Sequence, residues 1–322
     1  MLTVRDLGIA AGKGAGRQTL VQDLSFEIHP GEVLALVGES GCGKTMTALS
    51  IAGLLPPRVE ISGGQLKLLD QALAGASERT MNRVRGRHVG MIFQEPMTSL
   101  NPVLTIGTQL TEGLIRHLGM SGQQARARAI ELLDLVRIAD APRRLRDYPH
   151  HLSGGLRQRV MIAMALACQP ALLLADEPTT ALDVTIQAQI LELLEAIRRE
   201  LGTAILLITH DLGVVADIAD RAMVMYAGRV VETAGVDDLL NRPQHPYTRG
   251  LIKARPELAS ALGAAHRQPL QTMPGMVPRG GAGIAGCAFR ERCPLAMARC
   301  AEERPPLEPR ASGHAAACWA TL

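Results

Sequence analysis

Short apolar runs alternate along this chain with stretches whose apolar residues recur at helical spacing. Residues 32–37, 171–175 and 204–208 are apolar almost throughout, which is the pattern of parallel strands buried on both faces of a sheet. In residues 125–136, apolar side chains fall near one face of a helix and charged side chains fall elsewhere. The alternation of such strands and helices predicts an α/β fold with a parallel sheet.

The segments between these elements carry weaker patterns. Residues 18–28 alternate in part between apolar and polar, and they predict a strand ahead of a His-Pro-Gly turn. Residues 45–54 predict a helix, whereas residues 56–93 predict irregular structure that ends on an apolar run. From about residue 105 to residue 146 the pattern becomes helical. The sheet is therefore predicted to be interrupted by a mostly helical insertion.

The composition changes near residue 242. The chain beyond it holds ten of the nineteen prolines, many arginines and four of the six cysteines. We therefore expect one domain at residues 1–240 and a C-terminal extension at residues 241–322. The helical part of the first domain is expected at about residues 95–165.

The overall composition excludes several classes of protein. The 322 residues carry 34 Lys and Arg against 31 Asp and Glu, a net charge of +3, which is too small for broad binding to a nucleic-acid backbone. Three Phe, three Tyr and one Trp are too few for stacking single-stranded bases, and they predict an aliphatic core. No stretch is apolar over the ~20 residues that a bilayer requires. Arg5 and Asp6 lie where a signal peptide is apolar, so we expect a cytoplasmic chain.

Residues 38–45 read GESGCGKT and lie between a predicted buried strand and a predicted helix. This is the context of a phosphate-binding loop, in which glycines let backbone N–H groups face a phosphate and the helix N-terminus adds its positive end. Lys44 is placed to reach the β- and γ-phosphates, and the Thr45 hydroxyl is placed to bind Mg²⁺. The expected nucleotide-binding residues are Gly38, Glu39, Ser40, Gly41, Cys42, Gly43, Lys44, Thr45 and Met46.

An acidic pair follows the apolar run at residues 171–175. Asp176 and Glu177 are adjacent at the predicted end of that strand. The strand-end Asp176 is expected to hold Mg²⁺, as such acids do in phosphate-loop ATPases. Glu177 is then placed to orient and deprotonate an attacking water. With the phosphate loop, this pair predicts ATP hydrolysis.

Residues 151–156 read HLSGGL, which alone indicates no more than a helix-capping turn. In register with the other motifs, it makes the chain resemble the nucleotide-binding subunit of ATP-binding cassette (ABC) transporters. The matching elements are the phosphate loop at 38–45, Gln94, the signature LSGGL at 152–156, Asp176 with Glu177, Ala181-Leu182-Asp183, and His210. The resemblance covers residues 1 to about 235.

The resemblance implies a fold and an assembly. The fold is a RecA-like P-loop NTPase core with an antiparallel β-subdomain and a helical insertion, followed by a small Cys-containing C-terminal extension. Two cassettes pair head to tail in this family. Ser153, Gly154 and Gly155 would therefore contact the γ-phosphate that the partner holds. Asp183 would lie at the dimer interface.

The resemblance also implies roles for two polar residues that follow strands. His210 would contact the γ-phosphate from its own subunit and help to hold the water near Glu177. Gln94 would link Mg²⁺ and that water to the helical insertion. In this family the insertion docks on a transmembrane partner.

The chain departs from the family pattern at two places. Leu156 stands where a glutamine commonly ends the signature. Hydrolysis is expected to survive this change, because the phosphate contacts come from Ser153 and the backbone. Residues 10–25 contain no aromatic ring to stack on adenine, which leaves Arg17 or an aliphatic neighbour to cover the base.

Cys287, Cys293, Cys300 and Cys318 lie in the Pro- and Arg-rich C-terminal segment. Four cysteines in a reducing compartment favour a metal site over disulfides. The gaps between them are wider than the paired spacing of zinc sites, and a [4Fe–4S] cluster also takes four cysteines, with looser spacing. Zinc and four unligated thiols stay open. His314 is an alternative ligand, although four cysteines leave it unneeded.

Residues 241–248 read NRPQHPYT, and with the Cys-bearing tail they resemble the C-terminal extension of the di- and oligopeptide import branch of the ABC family. This implies a [4Fe–4S] cluster, ATP-driven peptide import, a second and different cassette subunit, two transmembrane permease subunits and a separate substrate-binding protein. The chain would lie peripherally on the cytoplasmic face of the bacterial inner membrane. Import of nickel or another small solute stays open, as does, more remotely, a soluble cassette ATPase acting on DNA or ribosomes.

Overall fold

A computed structural model of the chain describes residues 1–180, 183–254, 273, 275–278 and 284–321. Ala181 and Leu182 of the predicted motifs lie outside these residues. In chain order, the described strands are β1 (Leu2–Ala11), β2 (Gln18–Ile28), β3 (Val33–Val37), β4 (Val59–Leu68), β5 (Gln71–Ala72), β6 (Val89–Ile92), β7 (Leu172–Asp176), β8 (Ala204–Thr209), β9 (Arg221–Tyr226), β10 (Arg229–Gly235), β11 (Glu308–Ala311) and β12 (His314–Ala316). The described α-helices are α1 (Lys44–Ala52), α2 (Glu78–Val84), α3 (Pro96–Ser99), α4 (Ile106–Leu118), α5 (Gly122–Leu135), α6 (Ala141–Arg144), α7 (Gly154–Leu166), α8 (Val184–Leu201), α9 (Leu212–Ile218), α10 (Val236–Asn241), α11 (Pro246–Lys253) and α12 (Arg299–Glu302).

The chain divides into two compact units. The first comprises residue 1, residues 28–32 and residues 75–208. The second comprises residues 2–27, residues 33–74 and the chain from residue 209 onward. In neither unit does a described helix reach the apolar length that crossing a bilayer requires.

The first unit is built on the parallel strands β6, β7 and β8. The pairing of β6 with β7 places Val89 opposite Leu172, and the pairing of β7 with β8 places Leu172 opposite Ala204. Every residue of β7 and β8 is buried, as expected for parallel strands covered on both faces. These strands confirm the prediction from the apolar runs.

Helices α3 to α7 follow β6 and precede β7 in the chain, and they confirm the predicted helical insertion. Side-chain caps set the starts of α4 and α5. The Thr105 hydroxyl accepts a backbone N–H at 3.2 Å, and Ser121 forms a capping box with Gln124. The Arg159 guanidinium of α7 donates to the Val136 carbonyl oxygen at 2.7 Å. This bond supports the helix that begins at the Ser-Gly-Gly turn.

The second unit contains a four-stranded sheet in the order β2-β1-β4-β5. The strands β1 and β4 are antiparallel, with Leu2 opposite Leu68. The prediction that residues 56–93 are irregular is therefore wrong for β4. It is also wrong for α2, which begins after its N-cap Ser77. Most side chains of β4 are exposed, so the strand lacks hydrophobic alternation and is defined by its pairing with β1.

The second unit also contains β3 and β9, which pair in parallel, and the strands that extend from them. From β9 the sheet continues antiparallel through β10 and β12 to β11. The pairing of β10 with β12 places Glu232 opposite Ala316. Strands from the far C-terminus therefore extend the sheet that includes β3. The domain boundary at residue 240 stays a prediction.

Within the described residues of the second unit, three of the seven aromatic rings of the chain gather in the core. Tyr226, Tyr247 and Phe289 are each at most 2% exposed, and their ring centroids lie 4.8 to 5.4 Å apart. The composition predicts an aliphatic core, and this cluster is the exception. Tilted and edge-to-face rings bury a large apolar area, so they anchor a C-terminal segment that has little regular structure.

Candidate functional site

The phosphate loop connects β3 to α1 and closes around the side chain of Lys44. Lys44 is 5% exposed, and its Nζ donates to the carbonyl oxygens of Gly38 at 2.7 Å and Glu39 at 3.0 Å. The backbone of the loop can take this conformation because residues 38 and 43 are glycines, and neither position has room for a Cβ atom. A Cβ on Gly43, whose φ is 104°, would lie 2.7 Å from a neighbouring methyl carbon. A Cβ on Gly38 would lie 2.3 Å from the carbonyl oxygen of Met225.

The loop leads into the first turn of α1. Gly43 is the N-cap and has no side chain to accept the first N–H groups of the helix. Those N–H groups and the helix dipole together make a binding site for a phosphate. Thr45 and Met46 are half-buried in this turn. Cys42 is fully buried, and its burial raises the pKa of the thiol, which keeps the loop free of a thiolate charge.

The acidic pair lies where β7 ends. Asp176 is the last strand residue and is 2% exposed, whereas Glu177 has its backbone in the left-handed region, with φ 47°. This conformation costs a residue other than glycine about 1 to 3 kcal/mol, and it is concentrated at functional sites. The Glu177 carboxylate accepts from Gln94 Nε2 and from Thr180 Oγ1, each at 2.9 Å. The structure thus brings Gln94 and Glu177 together. The resemblance drawn from the sequence implies that both residues act on the same attacking water.

The signature turn forms an exposed N-terminus of α7. Ser153 is the N-cap, and its hydroxyl accepts the backbone N–H of Leu156 at 3.4 Å. Ser153 and Gly154 are exposed, and Gly155 is half-buried. Because Leu156 contributes its backbone to this turn, the replacement of glutamine by leucine leaves the capping bond in place. The turn presents an anion-binding helix end at the surface.

The remaining predicted residues lie at the ends of elements. Asp183 is the N-cap of α8, and its carboxylate accepts a backbone N–H at 2.9 Å. The next residue, Val184, is 84% exposed. His210 directly follows β8 and is exposed. Arg17 is exposed and pairs with Glu60 at 3.5 Å. The roles assigned to Asp183, His210 and Arg17 stay predictions.

The four C-terminal cysteines are free thiols that interact electrostatically with one another in the described structure. The Cys287 backbone N–H donates to the Cys300 carbonyl oxygen at 2.8 Å. Burial raises the pKa of the Cys287, Cys293 and Cys318 thiols, and the neighbouring cysteines act in the same direction. This region therefore disfavours thiolates unless a cation compensates for them.

Within the ranges that the structure describes, no group of three or more His, Cys, Asp or Glu side chains is arranged to hold a metal ion. The alternative ligand His314 is engaged elsewhere, since its Nε2 lies 2.8 Å from Oε1 of the buried Glu232. The expected [4Fe–4S] cluster and the zinc alternative thus have a donor set in the sequence, but the described side chains do not form a ligand group.

Two residues that sequence reasoning missed reach the phosphate loop. Arg292 Nη1 and Nη2 donate to the Glu39 carboxylate at 2.7 and 2.8 Å, and the Tyr247 hydroxyl accepts the Glu39 N–H at 2.9 Å. They lie 253 and 208 positions from Glu39, so no local spacing could reveal the contact. The one available signal is that Tyr247 belongs to the NRPQHPYT segment.

The motifs fall within regions that match known protein families. Residues 21–180 match the family described as ABC transporter. Residues 231–300 match the family described as Oligopeptide/dipeptide transporter, C-terminal region. The first range contains the phosphate loop, Gln94, the signature and the acidic pair. The second contains Tyr247, Arg292 and three of the four C-terminal cysteines.

Similar proteins extend the match over nearly the whole chain. The chain is 51% identical over 320 residues to the probable peptide ABC transporter ATP-binding protein y4tR of Sinorhizobium fredii, which covers 99% of this chain and 94% of that protein. It is 51% identical over 300 residues to the oligopeptide transport ATP-binding protein AppD of Bacillus subtilis, which covers 93% of this chain and 90% of that protein.

A solved structure with the same fold is the dimeric post-hydrolysis state of the ATP-binding cassette MJ0796 bound to ADP and Pi. It is 28% identical, has a TM-score of 0.66, and covers 73% of this chain and 99% of that one. The predicted P-loop NTPase fold and the resemblance drawn from the motifs are both confirmed. The chain belongs to the ABC transporter family, as an ATP-hydrolysing subunit that carries the C-terminal region of the oligopeptide/dipeptide transporters.

Proposed function

We propose that this chain powers the import of di- or oligopeptides through an inner-membrane ABC transporter. The observation that carries the cargo class is the match of residues 231–300 to the oligopeptide/dipeptide transporter C-terminal region. Relatives named for peptide transport align over 90% or more of their own length. Neither nickel import nor action on DNA or ribosomes has comparable support.

ATP hydrolysis requires residues that hold the nucleotide and residues that activate water. The phosphate loop binds the phosphates through backbone N–H groups, and Lys44 supplies a charge to the β- and γ-phosphates. Thr45 and Asp176 each offer an oxygen of the kind that Mg²⁺ prefers, and bound Mg²⁺ neutralises charge that develops on the phosphates. Glu177 accepts a proton from the attacking water, which is general-base catalysis.

Gln94 and His210 assist the general base. Gln94 and Thr180 both bond to Oε2 of Glu177, which restricts the rotation of the carboxylate. His210 contacts the γ-phosphate and holds the water that Glu177 deprotonates. Removal of either residue is therefore expected to lower the hydrolysis rate more than the affinity for ATP.

ATP is bound between two cassettes in this proposal. Ser153, Gly154 and Gly155 bind the γ-phosphate held by the partner, and Asp183 lies at the interface. The exposed helix end at Ser153 and the dimeric state of the solved MJ0796 cassette support this arrangement. The partner is a second, different cassette chain.

Two transmembrane permeases and a separate substrate-binding protein complete the transporter. This chain lies peripherally on the cytoplasmic face of the inner membrane.

Purification of the intact complex tests the cargo and the assembly together. The expected co-purifying chains are a second cassette and two hydrophobic permeases. In proteoliposomes supplied with the binding protein, the complex is expected to take up labelled di- or oligopeptides in an ATP-dependent way. A complex with Glu177→Gln is the matched control, because it binds ATP without turning it over. Uptake of nickel without uptake of peptide would contradict the proposal.

Cys287, Cys293, Cys300 and Cys318 are the ligands of a [4Fe–4S] cluster in this proposal. Four free thiols that interact electrostatically with one another support it, because cubane clusters take four cysteine ligands. Binding would deprotonate the thiols and draw them into one ligand group. The full chain purified without oxygen should then be brown and contain about four irons.

Cysteine variants test the cluster. Cys293→Ser should bleach the protein and loosen the C-terminal segment, whereas Cys168→Ser, at a buried thiol outside that segment, should leave the colour unchanged. Colourless protein with one tightly held zinc would contradict the cluster, but the four cysteines would remain the metal ligands. A metal-free chain with four alkylatable thiols would contradict both.

A further inference from the structure

Glu39, the second residue of the phosphate loop, is held by described residues from three directions. Its carbonyl oxygen accepts from Lys44 Nζ at 3.0 Å, a bond that lies within the loop. Its backbone N–H donates to the Tyr247 hydroxyl at 2.9 Å. Its carboxylate accepts from both Nη atoms of Arg292, at 2.7 and 2.8 Å. The last two contacts come from the C-terminal extension.

Arg292 is built into the fold at this place. Its side chain is 6% exposed, and its guanidinium carbon lies 5.7 Å from the ring centroid of Tyr226 and 5.9 Å from that of Phe289. Tyr247 is fully buried against Tyr226. A guanidinium held in this way is pre-organised for two parallel hydrogen bonds to a carboxylate. The hydrogen bonds from the Glu39 carboxylate raise the pKa of Arg292 above its ordinary value, so the guanidinium stays charged.

A carboxylate in a phosphate loop carries the wrong charge for its ligand. The triphosphate is strongly anionic, and like charges at short range repel each other. The Glu39 side chain is 28% exposed, so solvent screens its charge only in part. The Arg292 fork neutralises this charge, and the Tyr247 hydroxyl fixes the backbone to which the charge is attached.

We propose that Arg292 and Tyr247 are positioning residues of the ATP site, which act through Glu39 to orient the phosphate loop and to cancel its negative charge. This rests on the assignment of residues 38–45 as the ATP-binding loop. Cys287 and Cys293 pack against the same buried core as Tyr247 and Phe289. The order of the C-terminal extension and the affinity for ATP are therefore coupled.

Substitutions in the full-length chain test the proposal through ATP affinity, KM and kcat. Arg292→Met should raise the Kd and KM for ATP about tenfold, the effect of losing a charge-assisted hydrogen bond, with kcat within about twofold of the original. Tyr247→Phe should raise Kd about fivefold, as for a neutral hydrogen bond. Arg292→Lys should raise the Kd roughly threefold, because lysine keeps the positive charge but cannot form the two parallel hydrogen bonds to the carboxylate.

A second substitution separates positioning from general damage to the fold. Adding Glu39→Gln to Arg292→Met removes the uncompensated carboxylate. The Kd of the double variant should return to within about threefold of the original, the residual being the lost hydrogen bond. A merely structural role for Arg292 would leave the double variant as weak as the single one, because Glu39→Gln restores no packing.

The control for the region is Arg299→Met. Arg299 lies in the same extension, pairs with Glu303 at 2.8 Å and stacks over Trp319, and its described contacts do not include the loop. Its loss should leave the ATP affinity unchanged. An equal loss in Arg299→Met and Arg292→Met, or an unchanged Kd in both Arg292→Met and Arg292→Lys, would overturn the proposal.

Lys44→Ala distinguishes failure of this inference from failure of the ATP site. If Lys44→Ala loses ATP binding and the Arg292 variants do not, the positioning role is wrong and the loop assignment stands. If Lys44→Ala binds ATP as tightly as the original chain, the loop is not the ATP site and the positioning role fails with it.

Discussion

The phosphate loop and the C-terminal extension belong to the same compact unit, yet their order has different origins. The bonds inside the loop are local, and the bond from Lys44 to Gly38 spans six positions. The extension is held by distant residues, and the bond from Arg292 to Glu39 spans 253 positions. The rate of ATP hydrolysis should therefore be separable by mutation from the stability of the extension, whereas the affinity for ATP depends on both regions.

The largest expected effect is on ATP hydrolysis and comes from the acidic pair at the end of β7, which the sequence places through its own strand. Glu177→Gln should lower ATP hydrolysis at least about 100-fold, because general-base catalysis contributes on that order. ATP binding and the free energy of unfolding should change little, since glutamine retains the size of the side chain and an oxygen that accepts from Gln94. Turnover assays and equilibrium ATP binding measure the two effects separately.

Glu192→Gln is the matched control for that change. Glu192 lies on α8 and pairs at the surface with Arg137 at 3.3 Å. Its loss should leave hydrolysis unchanged, as surface ion pairs contribute little. Turnover near the original rate in Glu177→Gln would show that another group activates the water.

The second prediction concerns Glu232, a buried residue whose partners are distant in the sequence. Glu232 is fully buried, and its carboxylate accepts the backbone N–H groups of Gln244 at 2.5 Å and His245 at 3.1 Å and lies 2.8 Å from His314 Nε2. Glu232→Ala leaves these partners unsatisfied, and the free energy of unfolding should fall by about 3 kcal/mol. Denaturant unfolding and limited proteolysis of the C-terminal segment measure this loss.

The kinetics of ATP hydrolysis distinguish Glu232→Ala from Glu177→Gln. In Glu232→Ala, kcat should persist, while the KM for ATP should rise as in Arg292→Met, because the loosened extension carries Arg292. Glu308→Ala removes an exposed glutamate from β11 and should change neither stability nor KM. A large fall in kcat in Glu232→Ala would mean that the two regions are not separable.

The smallest predicted effect concerns pH. Burial lowers the pKa of His245 from its ordinary 6.5 to about 3. Between those values the unfolded chain binds a proton that the folded chain does not, so stability falls as the pH drops below 6.5. This group alone should lower the free energy of unfolding by roughly 2 kcal/mol between pH 6.5 and pH 5. Urea unfolding at several pH values measures the slope.

His245→Asn should flatten that slope. Asparagine retains a side-chain acceptor for the Tyr247 backbone N–H, which His245 Nδ1 accepts at 3.1 Å. His29→Asn, at an exposed turn, should leave the slope unchanged. If the slope is the same in the original chain and in His245→Asn, the acid sensitivity arises from other groups.

The two kinds of residue in the candidate site differ in how far the sequence could predict them. Lys44 and Asp176 sit beside elements that their own neighbours define, so a short pattern suffices to place each on its strand end or helix start. Glu177 could be identified, but its left-handed backbone and its bond to Gln94 could not. The pair lies 83 positions apart, and only the packing of strands sets that distance.

The sequence by itself determined the elements with strong periodicity and the chemistry beside them: the buried strands β7 and β8, the helical insertion and the phosphate loop. Local sterics and hydrophobic alternation act within a few residues, which is why a pattern can report them. Only the tertiary structure decided that the exposed β4 is a strand, that three scarce aromatic rings share one core, and that Arg292 binds Glu39. These depend on which distant surfaces meet, a property of the whole chain that no local window contains.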